Sequence, residues 1–222
     1  GLGDVYKRQF GFYTILLSEC KCEAYAYGHQ CCDFSDGTLV CLTPGESISM
    51  KGNNKEFPSK GWILAFHPDL ICGTPLGLNI HNYTFFSYCP EEALHLSLRE
   101  KQIILEFLER IRQELERCID RHSKKIISKY IELLLDYCTR FYERQFITRS
   151  EVNKKVFREF NYLLDNHFNV KVSLSTDVLS DEYCANLLHL SPAYFNDLLK
   201  YEIGKEFKEY IPVSYTHLRA HE

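Results

Sequence analysis

The sequence predicts an α+β fold: an antiparallel β-barrel, then a pair of long helices, then an all-α segment built around a helical hairpin. Three observations predict it. Residues 10 to about 90 carry short β-branched or aromatic runs separated by turn residues. Near Ser97 the apolar period changes to a 4-3-4-3 spacing that suits helices. Towards the C-terminal end, "YCANLLHLSPAYFNDLLKYEIG" (183–204) supplies caps and a stop for two short helices around a tight turn.

The strand runs come first. "FYTILL", "EAYAY", "TLVCL" and "WILAF" are punctuated by "SDG", "TPGE", "KGNN" and "HPD", and short strands at this spacing suit an antiparallel barrel or sandwich. In the first long helix Ile104, Leu108, Ile111, Leu115 and Cys118 form a seam. After "DRHS", Ile127, Ile131, Leu134, Cys138 and Phe141 repeat it on the second. The short connection favours an antiparallel pair. Two readings of the seams stay open: they cover the barrel, or one of them meets a second subunit in a homodimer. The second helix also carries Tyr130, Leu133, Tyr137 and Tyr142 on other faces. "RQFITRSEVN" breaks the pattern and is the linker candidate. A further helix follows, with Val156, Phe157, Phe160, Leu163, Leu164 and Phe168 on its buried side, and then "NVKVSLSTDVLSDE" reads as a loop.

Length and composition bound the rest. The 222 residues allow one or two domains, and 45% hydrophobic content is ordinary for a globular chain. No run of eighteen apolar residues is present and the start lacks a signal-peptide pattern, so a cytoplasmic protein with no membrane partner is expected. A net charge of -4 gives nucleic-acid binding no support from bulk electrostatics. The ten cysteines lie in apolar stretches and read as reduced thiols. Cys20, Cys22, Cys31 and Cys32 are conceivable zinc ligands, but C-x-C…C-C lacks the paired knuckle spacing, and small buried hydrophobes are the simpler reading. No metal or other cofactor is expected.

The two ends carry an oddity. "GLGDVYKRQ" back-translates to a stretch whose reverse complement, read two bases in, encodes Val-Ser-Tyr-Thr-His-Leu-Arg-Ala, which is residues 213–220. Residues 1–9 and 212–222 are therefore expected to be sequencing-adapter read-through and to lie outside the core. The expected divisions are 10–96 for a partial barrel, 97–146 for the helix pair, 147–152 for a linker and 153–211 for the helical segment that holds the hairpin.

The hairpin is the sharpest feature. Ser180 or Asp181 can cap its first helix. Ser191 can cap the second, with Pro192 in the first turn and Gly204 as the left-handed stop. Ala185 is small where two helices would cross, and Phe195 and Leu198 can fix the second helix against the first. Ala193, Asn196, Asp197 and Lys200 then share the other face, which a recognition helix would present to a major groove. The same caps also suit an ordinary helical hairpin.

"YCANLLHLSPAYFNDLLKYEIGKEFKEYI" closely resembles the first helix-turn-helix of AraC-family transcription regulators. Ala185, Leu190, Ser191, Pro192, Tyr194, Leu198, Lys200 and Gly204 match that pattern, and Phe195 stands for its usual Leu. Upstream, "FGFYTILL", "DFSDGTLVCLTPGE" and "GWILAFHPDL" resemble the cupin-like barrel that precedes this domain in Bacteroidetes-like members. The resemblance implies a barrel that senses an unknown small-molecule effector, helices that form a homodimer, and two helix-turn-helix units. Only the first unit is present, and the second is expected after Ile211. Double-stranded DNA is the implied partner, touched by Ser191, Pro192, Ala193, Tyr194, Asn196, Asp197 and Lys200. Asn196 is the candidate for base readout, since an amide can pair with adenine in a bidentate way. Lys200 and the helix start at Pro192 can approach phosphates. The departure is Asp197, where many members place Arg. From Ser150 to Ile211 there are seven Lys and Arg against ten Asp and Glu, a net of -3, so this half is not basic.

An enzyme is not expected. No His-x-His pair marks a cupin metal site, and His29, His67, His81 and His95 are scattered. No nucleophile triad, phosphate loop or metalloprotease helix is visible. The alternative to a regulator is a dimerisation or scaffold module without DNA binding.

Overall fold

The computed structural model describes residues 8–9, 11–18, 37–48, 61–170 and 180–210. The chain is mixed α and β, mostly helical, and divides into two compact units at Gln145–Phe146.

The first unit is built on a four-stranded antiparallel sheet. Its strands are β2 (Tyr13–Ser18), β3 (Gly37–Leu42), β5 (Gly61–Phe66) and β6 (Leu94–Leu96), in the order β5-β2-β3-β6. A separate pair joins β1 (Arg8–Gln9) to β4 (Ser47–Ile48), so two of the nine residues expected outside the fold are paired in a strand. The register sets Ile15 opposite Cys41 and Leu64, Leu17 opposite Leu39 and Trp62, and Leu39 opposite Leu94. Side chains directly opposite share a face, so Ile15, Leu17, Leu39, Cys41, Leu94 and Leu96 form one buried layer. On β5 the alternation is plain: Ile63 and Ala65 are exposed while Trp62, Leu64 and Phe66 turn to the covered side. Gly61 is required by close approach, because a Cβ there would meet the Leu17 carbonyl oxygen at 2.3 Å. "EAYAY" lies outside the described residues.

Two features differ from the expectation of strands up to residue 90. The first is that 68–92 is helical. Helix α1 (Pro68–Ile71) starts where His67 accepts from the Asp69 N–H, and α2 (Pro75–Asn79) starts where Thr74 accepts from the Gly77 N–H. Three 3₁₀ turns follow at Ile80–Asn82, Thr84–Ser87 and Pro90–Glu92. The second is that the described strands form an open four-stranded sheet; closure into a barrel is not seen among them.

Helix α3 (Leu98–Glu116) begins at a capping box. Ser97 Oγ accepts from the Glu100 N–H, and the Glu100 carboxylate accepts from the Ser97 N–H at 2.9 Å. The same carboxylate takes two bonds from Arg144, at 2.8 and 3.0 Å. Arg144 also donates to the His95 carbonyl at 2.7 Å. Gln145 accepts from the His95 N–H and donates to the Ala93 carbonyl. The short strand β6 is thus held to α4 (Ser123–Thr148) by polar groups. At the far end of α3, Arg112 and Gln113 donate to Glu109, and these bonds push its carboxyl down to about 2.

The seams need a correction. Ile104, Leu108, Ile111, Ile127, Ile131, Leu134, Cys138 and Phe141 are all buried within the single chain. They pack inside the first unit and are not free to meet a second copy. Leu115 is the exception among the proposed interface residues, at 54% exposed. The 4-3-4-3 spacing marks the covered face from Ile104 to Ile111 and from Ile127 to Phe141, whereas Cys118 lies exposed beyond the end of α3; what covers that face is the chain itself.

The second unit holds the last residues of α4, then α5 (Ser150–Val170), α6 (Asp181–Leu187) and α7 (Pro192–Ile203). Of the expected linker 147–152 only Arg149 is outside a helix. The buried Asn153 amide donates to the Phe146 carbonyl at 2.9 Å, satisfying an end group of α4 across the break. Phe160, Leu164, Cys184, Ala185, Phe195, Leu199 and Phe207 form the core of this unit. Phe157 packs against it, Val156 and Leu163 are partly covered, and Phe168 lies outside the residues whose side chains are described.

Candidate nucleic-acid interface

The hairpin α6–α7 is built by local rules that can be followed bond by bond. Ser180 accepts from the Tyr183 N–H and opens α6. Leu190 N–H donates to the Ala185 carbonyl at 2.9 Å, and His189 N–H to the Asn186 carbonyl at 3.2 Å. These two bonds make a Schellman stop, which needs a left-handed residue between them. His189 takes that place at φ 57, the one non-glycine with positive φ among the described residues. Ser191 Oγ then accepts from the Tyr194 N–H at 3.2 Å, with Pro192 at the start of α7. Gly204 closes α7 in the left-handed conformation, φ 70, with its N–H on the Lys200 carbonyl.

Packing sets the angle of approach. Ala185 has no exposed surface and lies in one buried cluster with Phe195 and Leu199 of α7. Phe195 fills the gap below, edge-on to Phe160 at 5.0 Å and beside Phe207 at 6.0 Å. Leu199 belongs to the same cluster, and Leu198 is buried as well. Burial in the same core, with Asp181 near by, pushes the Cys184 thiol up to about 11.

The residues expected to touch DNA divide into two groups. Pro192, Ala193 and Asp197 are half-buried and Lys200 is exposed, on the side of α7 away from the core. The other three have duties inside the unit. Ser191 is buried as the cap. Tyr194 is 6% exposed and packs on Phe146 at 5.2 Å. Asn196 uses its whole amide: Nδ2 donates to Asp181 at 3.1 Å and to the Pro192 carbonyl at 3.0 Å, while Oδ1 accepts from the Phe207 N–H at 3.3 Å. It ties the start of α6, the start of α7 and the helical turn 207–210 together. The spacing that put Asn196 on the outer face gave no sign of these partners.

The charge on the outer side is mixed. Lys200 lies 3.6 Å from Glu206, and both are exposed, so the attraction is worth little and breaks easily. Asp181, Glu182 and Asp197 add negative charge near the α7 start. The groups on this face suited to a phosphate are the backbone N–H groups at the start of α7 and the Lys200 ammonium.

No known family model, curated protein or solved structure matches the chain. Among the described residues no group of three His, Cys, Asp or Glu is placed to hold a metal ion. Cys20, Cys22, Cys31 and Cys32 fall outside them. No described helix is long and apolar enough to cross a membrane.

Proposed function

We propose that the chain is a cytoplasmic, sequence-specific DNA-binding transcription regulator of the AraC type, with α7 as the recognition helix. In this reading the four-stranded sheet is the described part of a cupin-like barrel that senses a small-molecule effector, and the protein performs no catalysis. The observation that carries it is the α6–α7 hairpin: two capped helices sharing a buried cluster that includes Ala185 and Phe195, with Pro192, Ala193, Asp197 and Lys200 on the other side of α7. The AraC-like pattern of residues in that hairpin supports the same reading. Asn196 is held by three internal bonds, and this reading assigns base contact to the outer side of α7, where Ala193 and Asp197 both stand half-buried. A methyl group can touch thymine, and a carboxylate can accept from a cytosine amino group.

The alternative, a scaffold module without DNA binding, draws on the acidic balance of residues 150–211. Fluorescence anisotropy of the 222-residue chain with duplex DNA at low salt separates the two. The regulator reading expects weak binding, roughly 10⁻⁴ to 10⁻⁶ M. Asp197→Asn should tighten it by removing a charge that repels phosphate. Lys200→Ala should weaken all sequences alike and lower the salt slope by about 1. No binding by the folded chain, in wild type and Asp197→Asn alike, removes α7 as a DNA reader and leaves the scaffold reading.

A further inference from the structure

The turn between α3 and α4 collects positive charge. Residues 117–125 carry Arg117, Arg121, Lys124 and Lys125 against one acid, Asp120, a net of +3 in a chain whose net charge is -4. Every residue of that stretch except Ser123 is exposed. Among the described residues none of the four cations makes an ion pair. Arg121 donates to the His122 ring at 3.0 Å and Lys124 to the Asp69 carbonyl at 3.0 Å, both at the surface. Neither bond neutralises the charge.

The acid of the turn is engaged in building it. The Asp120 carboxylate accepts from the His122 N–H at 2.7 Å and from the Ser123 N–H at 3.0 Å, and these bonds hold its carboxyl below the usual range. Ser123 Oγ accepts from the Asp120 N–H at 3.1 Å and donates to Glu114 at 3.1 Å, which ties the turn back to α3. The cations therefore stand on a preset turn, and a ligand has little backbone to order. Lys124 and Lys125 lie in the first turn of α4, which holds no acid. Positive charge there opposes the helix dipole and costs local stability. Residues that break a local preference in this way are expected at functional surfaces.

We propose that this turn is a second DNA-binding surface, which grips the phosphate backbone of a duplex whatever its sequence. Charge decides the partner. The large apolar side chains exposed beside the cations are Leu115, at 54%, and Ile119, at 76%, too little to seat a lipid surface or an apolar peptide. Guanidinium and ammonium groups on one tight turn suit the closely spaced phosphates of a duplex, and the arginine forks can each take two oxygens. Helix α7 offers one cation, Lys200, and residues 150–211 have a net of -3. The turn supplies the positive charge that the helical hairpin lacks. Backbone contact alone carries the inference, so it does not rest on α7 as a base reader.

The salt dependence of duplex binding by the full chain tests it, read by fluorescence anisotropy with DNA of arbitrary sequence. Each phosphate contact adds about 0.9 to the slope of log K against log salt, so Lys200 alone gives about 1 and Lys200 with the turn about 4 to 5. Arg117→Gln, Arg121→Gln and Lys125→Gln combined in one chain should lower the slope by about 3 and weaken all sequences alike. Lys124 is left in place because it bonds the Asp69 carbonyl. Circular dichroism and the melting midpoint check that the triple variant keeps its fold. A triple variant with the wild-type slope overturns the proposal, and if Lys200→Ala still lowers the slope, α7 stands without it. A slope lowered by the triple variant and untouched by Lys200→Ala supports the turn and removes α7. A wild-type chain that binds no duplex overturns the proposal. So does poly-glutamate that displaces the duplex at equal charge concentration, because the surface then takes an acidic polypeptide.

Discussion

On α4, Leu134 has no exposed surface while its neighbour Leu133 stands half in solvent. On α7, Phe195 is wholly buried while its neighbour Asn196 is partly covered. Both helices have one face in a core, and the difference lies in what remains. Helix α4 leaves aliphatic and aromatic groups beside charges. Helix α7 leaves small and polar groups, Ala193 and Lys200 among them, and it ties its amide down. The first remainder is partly apolar, and the second suits a polar ligand. One periodic rule, applied to both, finds the covered face in each case, but it does not say what partner, if any, meets the other.

The comparison within α4 is the easiest to break. Leu134→Ala should cost about 2–5 kcal/mol of stability, since it opens a cavity in a closed core. Leu133→Ala should stay within about 0.5 kcal/mol, as is usual at the surface. Urea denaturation of the two single variants measures both. Similar losses at the two positions would mean that Leu133 is covered too.

How much of this was legible in the sequence depends on the range of the interaction. Local signals were readable. Ser97 followed by Glu100 marks the start of α3, Ser191-Pro192 marks the start of α7, and Gly204 its stop. The short β-branched or aromatic runs "TLVCL" and "WILAF" identified β3 and β5. Two local signals went unread. Pro68 after His67 and Pro75 after Thr74 mark helix starts in a region taken for strands. The strand "LHL" has three residues and no flanking turn signal, so it is visible only through its pairing with Gly37–Leu39. The cover over the α3 and α4 seams and two of the three partners of Asn196, Asp181 and the Phe207 N–H, are tertiary facts. They join positions up to fifteen residues apart around Asn196, beyond any spacing rule for one helix.

Asn196 sharpens the comparison from the side of α7. As an internal brace, Asn196→Ala should cost about 1–3 kcal/mol, because it leaves the Phe207 N–H without its acceptor and frees Asp181 and the Pro192 carbonyl. Thermal unfolding of the variant measures the loss, and hydrogen exchange should show the 207–210 turn opening first. A residue held in reserve for a base edge would behave otherwise: the variant would keep its stability and lose only sequence preference.

The smallest effect concerns two helix ends that solve the same problem with different residues. Both α6 and α7 stop at a left-handed position, His189 at φ 57 and Gly204 at φ 70. Glycine adopts this conformation without steric penalty, whereas a Cβ there crowds the backbone by roughly 1–2 kcal/mol. Against this, glycine gives the unfolded chain more freedom, worth about 0.4–1 kcal/mol. The balance predicts that His189→Gly stabilises the second unit by roughly 0.5–1 kcal/mol. Gly204→Ala should destabilise it by a similar amount, since nothing lies within 4 Å of the added Cβ and the strain is in the backbone alone. Denaturation midpoints of the two variants should therefore move in opposite directions. If His189→Gly instead lowers the midpoint, the imidazole contributes a contact worth more than the strain it carries, and the turn of α6–α7 is held by its side chain as well as by its backbone.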